Sequence, residues 1–118
     1  MSAQLSLDAA RAGRRARARG GRGEREIVDV LRAFGWKLAR RNTVFPQFGR
    51  DILDGPAGTR ISCKYTERLR LREAFAECAE HSQPGEIPVI FHRCNGQPWL
   101  ATLPLDELLP LLALRERA

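Results

Sequence analysis

Apolar positions recur along the chain with two different periods. From Glu24 to Phe34, Ile27, Val28, Val30, Leu31 and Phe34 fall at the offsets of one helix face, with Ile27, Leu31 and Phe34 at its centre, and Gly35 stands where a helix C′ residue belongs. Trp36 to Arg40 alternates apolar and polar and predicts a strand. A loop is expected over 42–50, where Asn42, Pro46 and Gly49 fall, followed by a short strand, Asp51-Ile52-Leu53, and the turn Asp54-Gly55-Pro56. Arg60 to Thr66 alternates again, with Ile61, Cys63 and Tyr65 on one face and Ser62, Lys64 and Thr66 on the other. A helix over 69–82 carries the stripe Leu71, Ala74, Phe75 and Cys78. Pro88 to Arg93 and Gln97 to Leu103 read as two strands joined at Asn95-Gly96, a turn pair that accepts positive φ. Leu105 to Arg115 returns to helical spacing, with Pro110 expected to kink it or start a fresh turn.

The first 23 residues carry a weaker pattern. Leu5 to Ala18 is rich enough in Ala and Arg for a helix, but Gly13, Gly20, Gly21 and Gly23 weaken it. This predicts an arm, residues 1–23, that is disordered or marginally helical when free and ordered on a partner. The body, 24–118, then reads α, β, β, β, α, β, β, α. That order fits a central mixed sheet with helices on its faces.

Length and composition narrow the function classes. The chain has 118 residues, of which 43% are hydrophobic, which is one domain and too little for an enzyme with its own cofactor domain. No apolar run reaches the ~18–20 residues of a membrane span, and the basic N-terminus is not followed by a signal-peptide apolar region. Cys63, Cys78 and Cys94 are odd in number and lack a C-x-x-C pair, as expected of reduced thiols used as small apolar residues in a cytoplasmic protein.

Charge is unevenly spread. Residues 1–23 hold six Arg and one Asp, while 24–118 hold fourteen basic and thirteen acidic residues. A cationic arm of +5 therefore extends from a nearly neutral body. All but two of the basic residues are Arg, whose guanidinium fork suits phosphate oxygens better than an ammonium does. The arm reads either as a solubilising tail or as a binding element for a polyanion, most simply nucleic acid.

Three polar residues in the body point to chemistry. Glu24 is the helix acid nearest the apolar face, Asp51 opens a strand, and Lys64 stands mid-strand on the face of Ser62. Each has an ordinary structural role: Glu24 complements a helix dipole, Asp51 caps a turn, and Lys64 protects an edge strand. Together, at one end of a sheet, two carboxylates and an ammonium could hold a hard divalent cation and orient a water for attack on phosphate.

The segments Gly23-Glu24-Arg25-Glu26-Ile27-Val28, Gly35-Trp36-Lys37-Leu38-Ala39-Arg40, Arg50-Asp51-Ile52, Ile61-Ser62-Cys63-Lys64, Ile87-Pro88-Val89-Ile90 and Trp99-Leu100-Ala101-Thr102-Leu103 occur in that order. This series resembles archaeal-type Holliday junction resolvases of the PD-(D/E)xK nuclease superfamily over about residues 20–110. The resemblance implies a restriction-endonuclease-like α/β fold and a homodimer that cleaves branched DNA in recombination and repair, in the cytoplasm or on the nucleoid. The implied cofactor is Mg²⁺, with Mn²⁺ as a substitute. It makes Glu24 and Asp51 metal ligands, adds the main-chain carbonyl of Cys63, and makes Lys64 the catalytic lysine. Arg25 and Arg40 correspond to basic residues near the scissile phosphate. Arg41 and the arm residues Arg14, Arg15, Arg17, Arg19 and Arg22 complete the expected nucleic-acid contacts.

The chain departs from the family at Ser62, where an acid stands two residues before the lysine. Three readings follow: one cation suffices, the acid has moved to Glu77 on the second helix, or the domain binds DNA without cleaving it. In the first two, Ser62 remains in the catalytic group through its place beside Lys64.

Overall fold

The computed structural model describes residues 3–43 and 50–118, so most of the loop expected over 42–50 lies outside the described residues. Its elements are α1 (Ala3–Ala33), β1 (Arg40–Arg41), β2 (Ile52–Leu53), β3 (Thr59–Tyr65), α2 (Leu71–His81), β4 (Ile87–Arg93), β5 (Leu100–Thr102) and α3 (Leu105–Arg117). The α, β, β, β, α, β, β, α order expected of the body is the observed one.

β3 and β4 run parallel, from Thr59 opposite Ile87 to Tyr65 opposite Arg93. A parallel pair needs a long crossover, and α2 supplies it. β5 pairs antiparallel with β4, His92 opposite Leu100, through the turn in which Gly96 takes φ +74°. β1 and β2 form a separate two-stranded ladder, Arg40 opposite Leu53 and Arg41 opposite Ile52. It adjoins β3 where the Asp51 N–H donates to the Ile61 carbonyl at 3.0 Å. The result is a mixed α/β fold in which helices flank a mixed sheet.

Alternation along β3 sorts the core. Ile61 and Cys63 join Val89 of β4 in packing against Ile27, Val28 and Leu31 of α1, with Ala39 and Ile52 closing the cluster. Ile90, opposite Ser62, is on the other face and is fully buried. On that side the Cys78 thiol of α2 donates to the Arg60 carbonyl at 3.5 Å. Cys63 and Cys78 are thus small buried residues. No helix among the described residues is long and apolar enough to cross a membrane.

Two differences from the sequence expectation have local causes. The strand expected over 36–40 shrinks to Arg40–Arg41. Gly35, at φ +116°, ends α1 in a Schellman turn, with Trp36 N–H to Leu31 O at 3.0 Å and Gly35 N–H to Arg32 O at 3.1 Å. Ala39 N–H then closes on the Trp36 carbonyl, so Trp36 to Leu38 turn instead of extending. The same turn leaves Phe34, expected at the centre of the apolar face, 79% exposed.

The second difference is larger: the arm and the first body helix are one continuous helix of 31 residues. Its glycines are not equivalent. A Cβ on Gly23 would come within 3.0 Å of the Tyr65 Cβ and 3.3 Å of the Trp99 ring, whereas one on Gly20 would meet nothing within 4 Å. Gly23 lets α1 approach β3, and Gly20 only loosens the helix. Gly23→Ala should therefore destabilise the protein by about 1–3 kcal/mol, as overpacking does. Gly20→Ala should stabilise it by up to about 1 kcal/mol through helix propensity. Urea denaturation of both variants checks the pair, and equal effects would contradict the packing described.

Candidate active site

Asp51 is the pivot of the site. One side of the residue continues the β1–β2 ladder, its carbonyl accepting the Asn42 N–H at 2.9 Å. The carboxylate replaces a ladder bond to β3, with Oδ2 accepting the Cys63 N–H at 2.7 Å and the Ser62 hydroxyl at 3.3 Å. The preceding residue is braced as well. The Asn42 amide donates to the Arg50 carbonyl at 2.8 Å, and the Arg50 guanidinium binds the Thr59 carbonyl and the Glu86 carboxylate.

The other two candidates reach this edge from either face. Burial pushes the Asp51 carboxyl above its usual range. The Glu24 charge pushes it further up, while the Cys63 N–H, Lys64 and the Ser62 hydroxyl pull it down. Glu24 and Lys64 are therefore each close enough to act on Asp51, although Glu24 lies 27 positions away in the chain. Glu24 comes from the α1 side. Lys64 stands on the face of Ser62, as its parity requires. The Cys63 thiol lies in the α1-facing core. Burial, Asp51 and Glu24 hold it well above the ordinary thiol range, so it stays protonated. Its carbonyl is a different matter. In a strand the N–H and C=O of one residue point to the same side, so this carbonyl faces the Asp51 edge.

The donor set is all oxygen: two carboxylates and a strand carbonyl. That chemistry fits a hard cation such as Mg²⁺, which keeps several waters and takes one or two protein carboxylates. Among the described residues no three His, Cys, Asp or Glu side chains gather as a metal-binding group. Ser62 is buried and bonded to Asp51. Glu77 is exposed on α2, and the charges that act on Asp51 are those of Glu24 and Lys64.

The expected arginines divide. Arg41 is paired with Glu24, Nε to Oε1 at 3.0 Å and half-buried. Arg40 pairs with Asp54 at 3.0 Å in the open, an arrangement a phosphate could displace at little cost. Arg14, Arg15, Arg17 and Arg25 are exposed on α1, and Arg19 is half-buried. At about 100° per residue, Arg11, Arg14, Arg15, Arg22 and Arg25 share one side of the helix, opposite Ile27 and Leu31. Arg17 instead lies two turns from Glu24 on the same row.

A second cluster beside Glu24 escaped the sequence reading. The Arg22 guanidinium sits 5.3 Å from the Tyr65 ring centre and donates to the Tyr65 hydroxyl at 3.2 Å. Arg93 lies 4.7 Å from the same ring and 5.9 Å from Trp99, and its Nη1 is 3.2 Å from both oxygens of Glu26. Trp99 Nε1 also donates to Glu26, at 3.3 Å. Glu26 thus pairs with both Arg93, at 3.2 Å, and Arg22, at 4.0 Å, and the two guanidinium groups flank the Tyr65 ring. The signal available in advance was the alternation that sends Tyr65 to the α1 side, where Gly23 leaves room for it.

Comparison of the chain with protein-family models, with curated proteins and with solved structures finds no match.

Because Asp51 is raised in the folded state, its ionisation works against folding. The associated stability is present below the unfolded carboxyl pKa and is lost as pH rises through the folded one. Asp51→Asn keeps an oxygen for the Cys63 N–H and removes the charge. It should melt at or above the wild-type temperature at pH 7, and the two curves should converge on acidification. Added Mg²⁺ should raise the wild-type melting temperature and leave the Asn variant unmoved. Thermal melts from pH 3 to 8 with and without Mg²⁺ decide this, and a variant clearly less stable at pH 7 would make Asp51 a structural cap alone.

Proposed function

We propose that this protein is a divalent-cation-dependent endodeoxyribonuclease acting on branched DNA, built on a restriction-endonuclease-like frame. The observation that carries the reading is that Glu24 and Lys64 both act on the half-buried Asp51 carboxylate, which is held at the edge of β3 by the Cys63 N–H and the Ser62 hydroxyl. A half-buried carboxylate pushed up by burial and by a second acid makes sense when a cation is to be held there. Glu24, Asp51 and the Cys63 carbonyl would hold Mg²⁺ or Mn²⁺, which supplies charge for the phosphoryl oxygens and a more acidic water. Lys64, on the opposite face, would orient the attacking water and offset the charge that develops on phosphorus. Water oxygen bonds to phosphorus, the bond from phosphorus to one sugar oxygen breaks, and that oxygen takes a proton. The arginine side of α1 would lie along the DNA backbone, with Arg25 and, from β1, Arg40 nearest the scissile phosphate. A homodimer would match the two-fold symmetry of a four-way junction.

A second reading has its own support. Ser62 stands where the family has an acid, and Arg41 already neutralises Glu24. On that reading the domain binds DNA and does not cut it. Labelled four-way junction and linear duplex, incubated with Mg²⁺ or with EDTA, separate the two. The nuclease reading expects metal-dependent cleavage of the junction, reduced at least about 100-fold in Asp51→Asn and Lys64→Ala, the scale of losing charge stabilisation in a transition state. Binding without cleavage favours the second reading, and Ser62→Glu or Ser62→Asp should then restore cutting.

The arm has a separate readout. Affinity for DNA should fall with salt, and Arg14→Ala with Arg15→Ala should lower the slope of log K against log salt by about 0.9 per lost phosphate contact. An unchanged slope would remove these residues from the interface.

A further inference from the structure

Glu24 faces in two directions. Its charge acts on Asp51, and the same carboxylate is the partner of Arg41, whose Nε donates to Oε1 at 3.0 Å. Arg41 reaches it from β1, where its backbone pairs with Ile52, the residue after Asp51. Neighbouring strand residues point to opposite faces, and Arg40 accordingly turns away to Asp54.

Only part of the Arg41 guanidinium is used by Glu24. A Cβ on Gly21 would lie 3.3 Å from Arg41 Nη2 and 3.4 Å from Arg25 Nη1. Two guanidinium groups therefore gather over one glycine. Gly21, Glu24 and Arg25 are three and four residues apart and so share one side of α1. Arg17, one turn earlier on that row, is exposed. Among the described residues, the bond to Glu24 is the ion pair that this couple of arginines makes.

Two like charges held together against a single carboxylate leave positive charge over, and their N–H forks suit the oxygens of a phosphate. The position is open to such a ligand, because the Arg41 side chain is 33% exposed and Arg25 is exposed. An ion pair in partial contact with water is weak enough to exchange. The exchange needs no movement of the β1–β2 ladder, since only the Arg41 side chain has to turn.

We propose that Arg41 is a partner-switching residue: it leaves Glu24 for a DNA phosphate, which it grips together with Arg25, as Glu24 turns to a divalent cation. The inference rests on the nuclease reading, because it needs Glu24 to hold a cation. It adds that cation and DNA strengthen one another's binding, by the same factor in both directions, and that Arg41 carries part of that coupling.

Mn²⁺ binding to the full chain without DNA, followed by electron paramagnetic resonance of the free ion, tests the first half. Arg41→Ala should bind Mn²⁺ at least about tenfold more tightly than wild type, because a competing positive charge has gone from beside Glu24. Damage to the fold would not produce a gain, and Arg41→Gln supplies the same readout where the Ala variant fails to fold. Junction binding tests the second half. It is measured in the Lys64→Ala background, where cutting is slow, with Mg²⁺ and with EDTA. Mg²⁺ should raise the affinity about tenfold. Adding Arg41→Ala should remove most of that gain and leave the affinity in EDTA within about twofold, whereas a merely structural role would weaken both. Equal Mn²⁺ affinity in wild type and Arg41→Ala overturns the switch and leaves the cation site standing. A Mg²⁺ gain that ignores Arg41→Ala overturns the switch equally. Absence of Mn²⁺ binding in both chains, or binding unchanged in Asp51→Asn, overturns the nuclease reading and the switch with it.

Discussion

One hydrogen bond organises the sheet edge that carries the candidate site: the Cys63 N–H held by the Asp51 carboxylate at 2.7 Å. It lets the short β1–β2 ladder meet β3 where continuous strand pairing stops. A side chain takes over the role of a backbone carbonyl, so the carboxylate is fixed at the edge of the sheet and partly removed from water. Burial and the Glu24 charge then work against its ionisation. An unfavourable charge kept in place by a backbone donor is the feature that makes Asp51 a candidate for more than a cap.

The surroundings make that arrangement tolerable. Arg41 sits against Glu24, so the pair of acids is not left bare. Arg50 is tied to Thr59 and Glu86, which fixes the chain entering Asp51. Burial alone would raise Glu86, but the Gln83 N–H and Arg50 together hold it below the usual carboxylate range, so this brace is charged at neutral pH. On the α1 side, Gly23 admits Tyr65 and Trp99, and Glu26 and Arg93 lock them in place. Dense contacts therefore surround the candidate site, while α3, at the far end of the chain, has almost none.

The candidate site and α3 are opposite kinds of surface. The site is polar, paired and half-buried; α3 is apolar, exposed and charged only at its ends. The continuous α1 joins the two kinds of property in one element. Its last turns bury Ile27, Val28 and Leu31 in the core, and its first turns carry arginines away from it. Four glycines lie in this helix, and only Gly23 is demanded by packing. The joint between arm and body is therefore a matter of helix propensity rather than of contacts.

The sequence by itself determined the element order, the parity of β3, the end of α1 at Gly35 and the choice of Glu24, Asp51 and Lys64 as the residues to watch. These follow from periods of 2 and 3.6 residues and from backbone preferences, which are local and readable one segment at a time. Tertiary structure decided that the arm continues α1, that Trp36 to Leu38 turn back and expose Phe34, and that Arg41 closes on Glu24. It also decided that Glu77 is exposed on α2, that Arg93, Trp99 and Glu26 surround Tyr65, and that α3 is left uncovered. Such pairings join residues up to 73 positions apart. They depend on which faces meet when the chain packs, and periodicity along one segment carries no information about its distant partner.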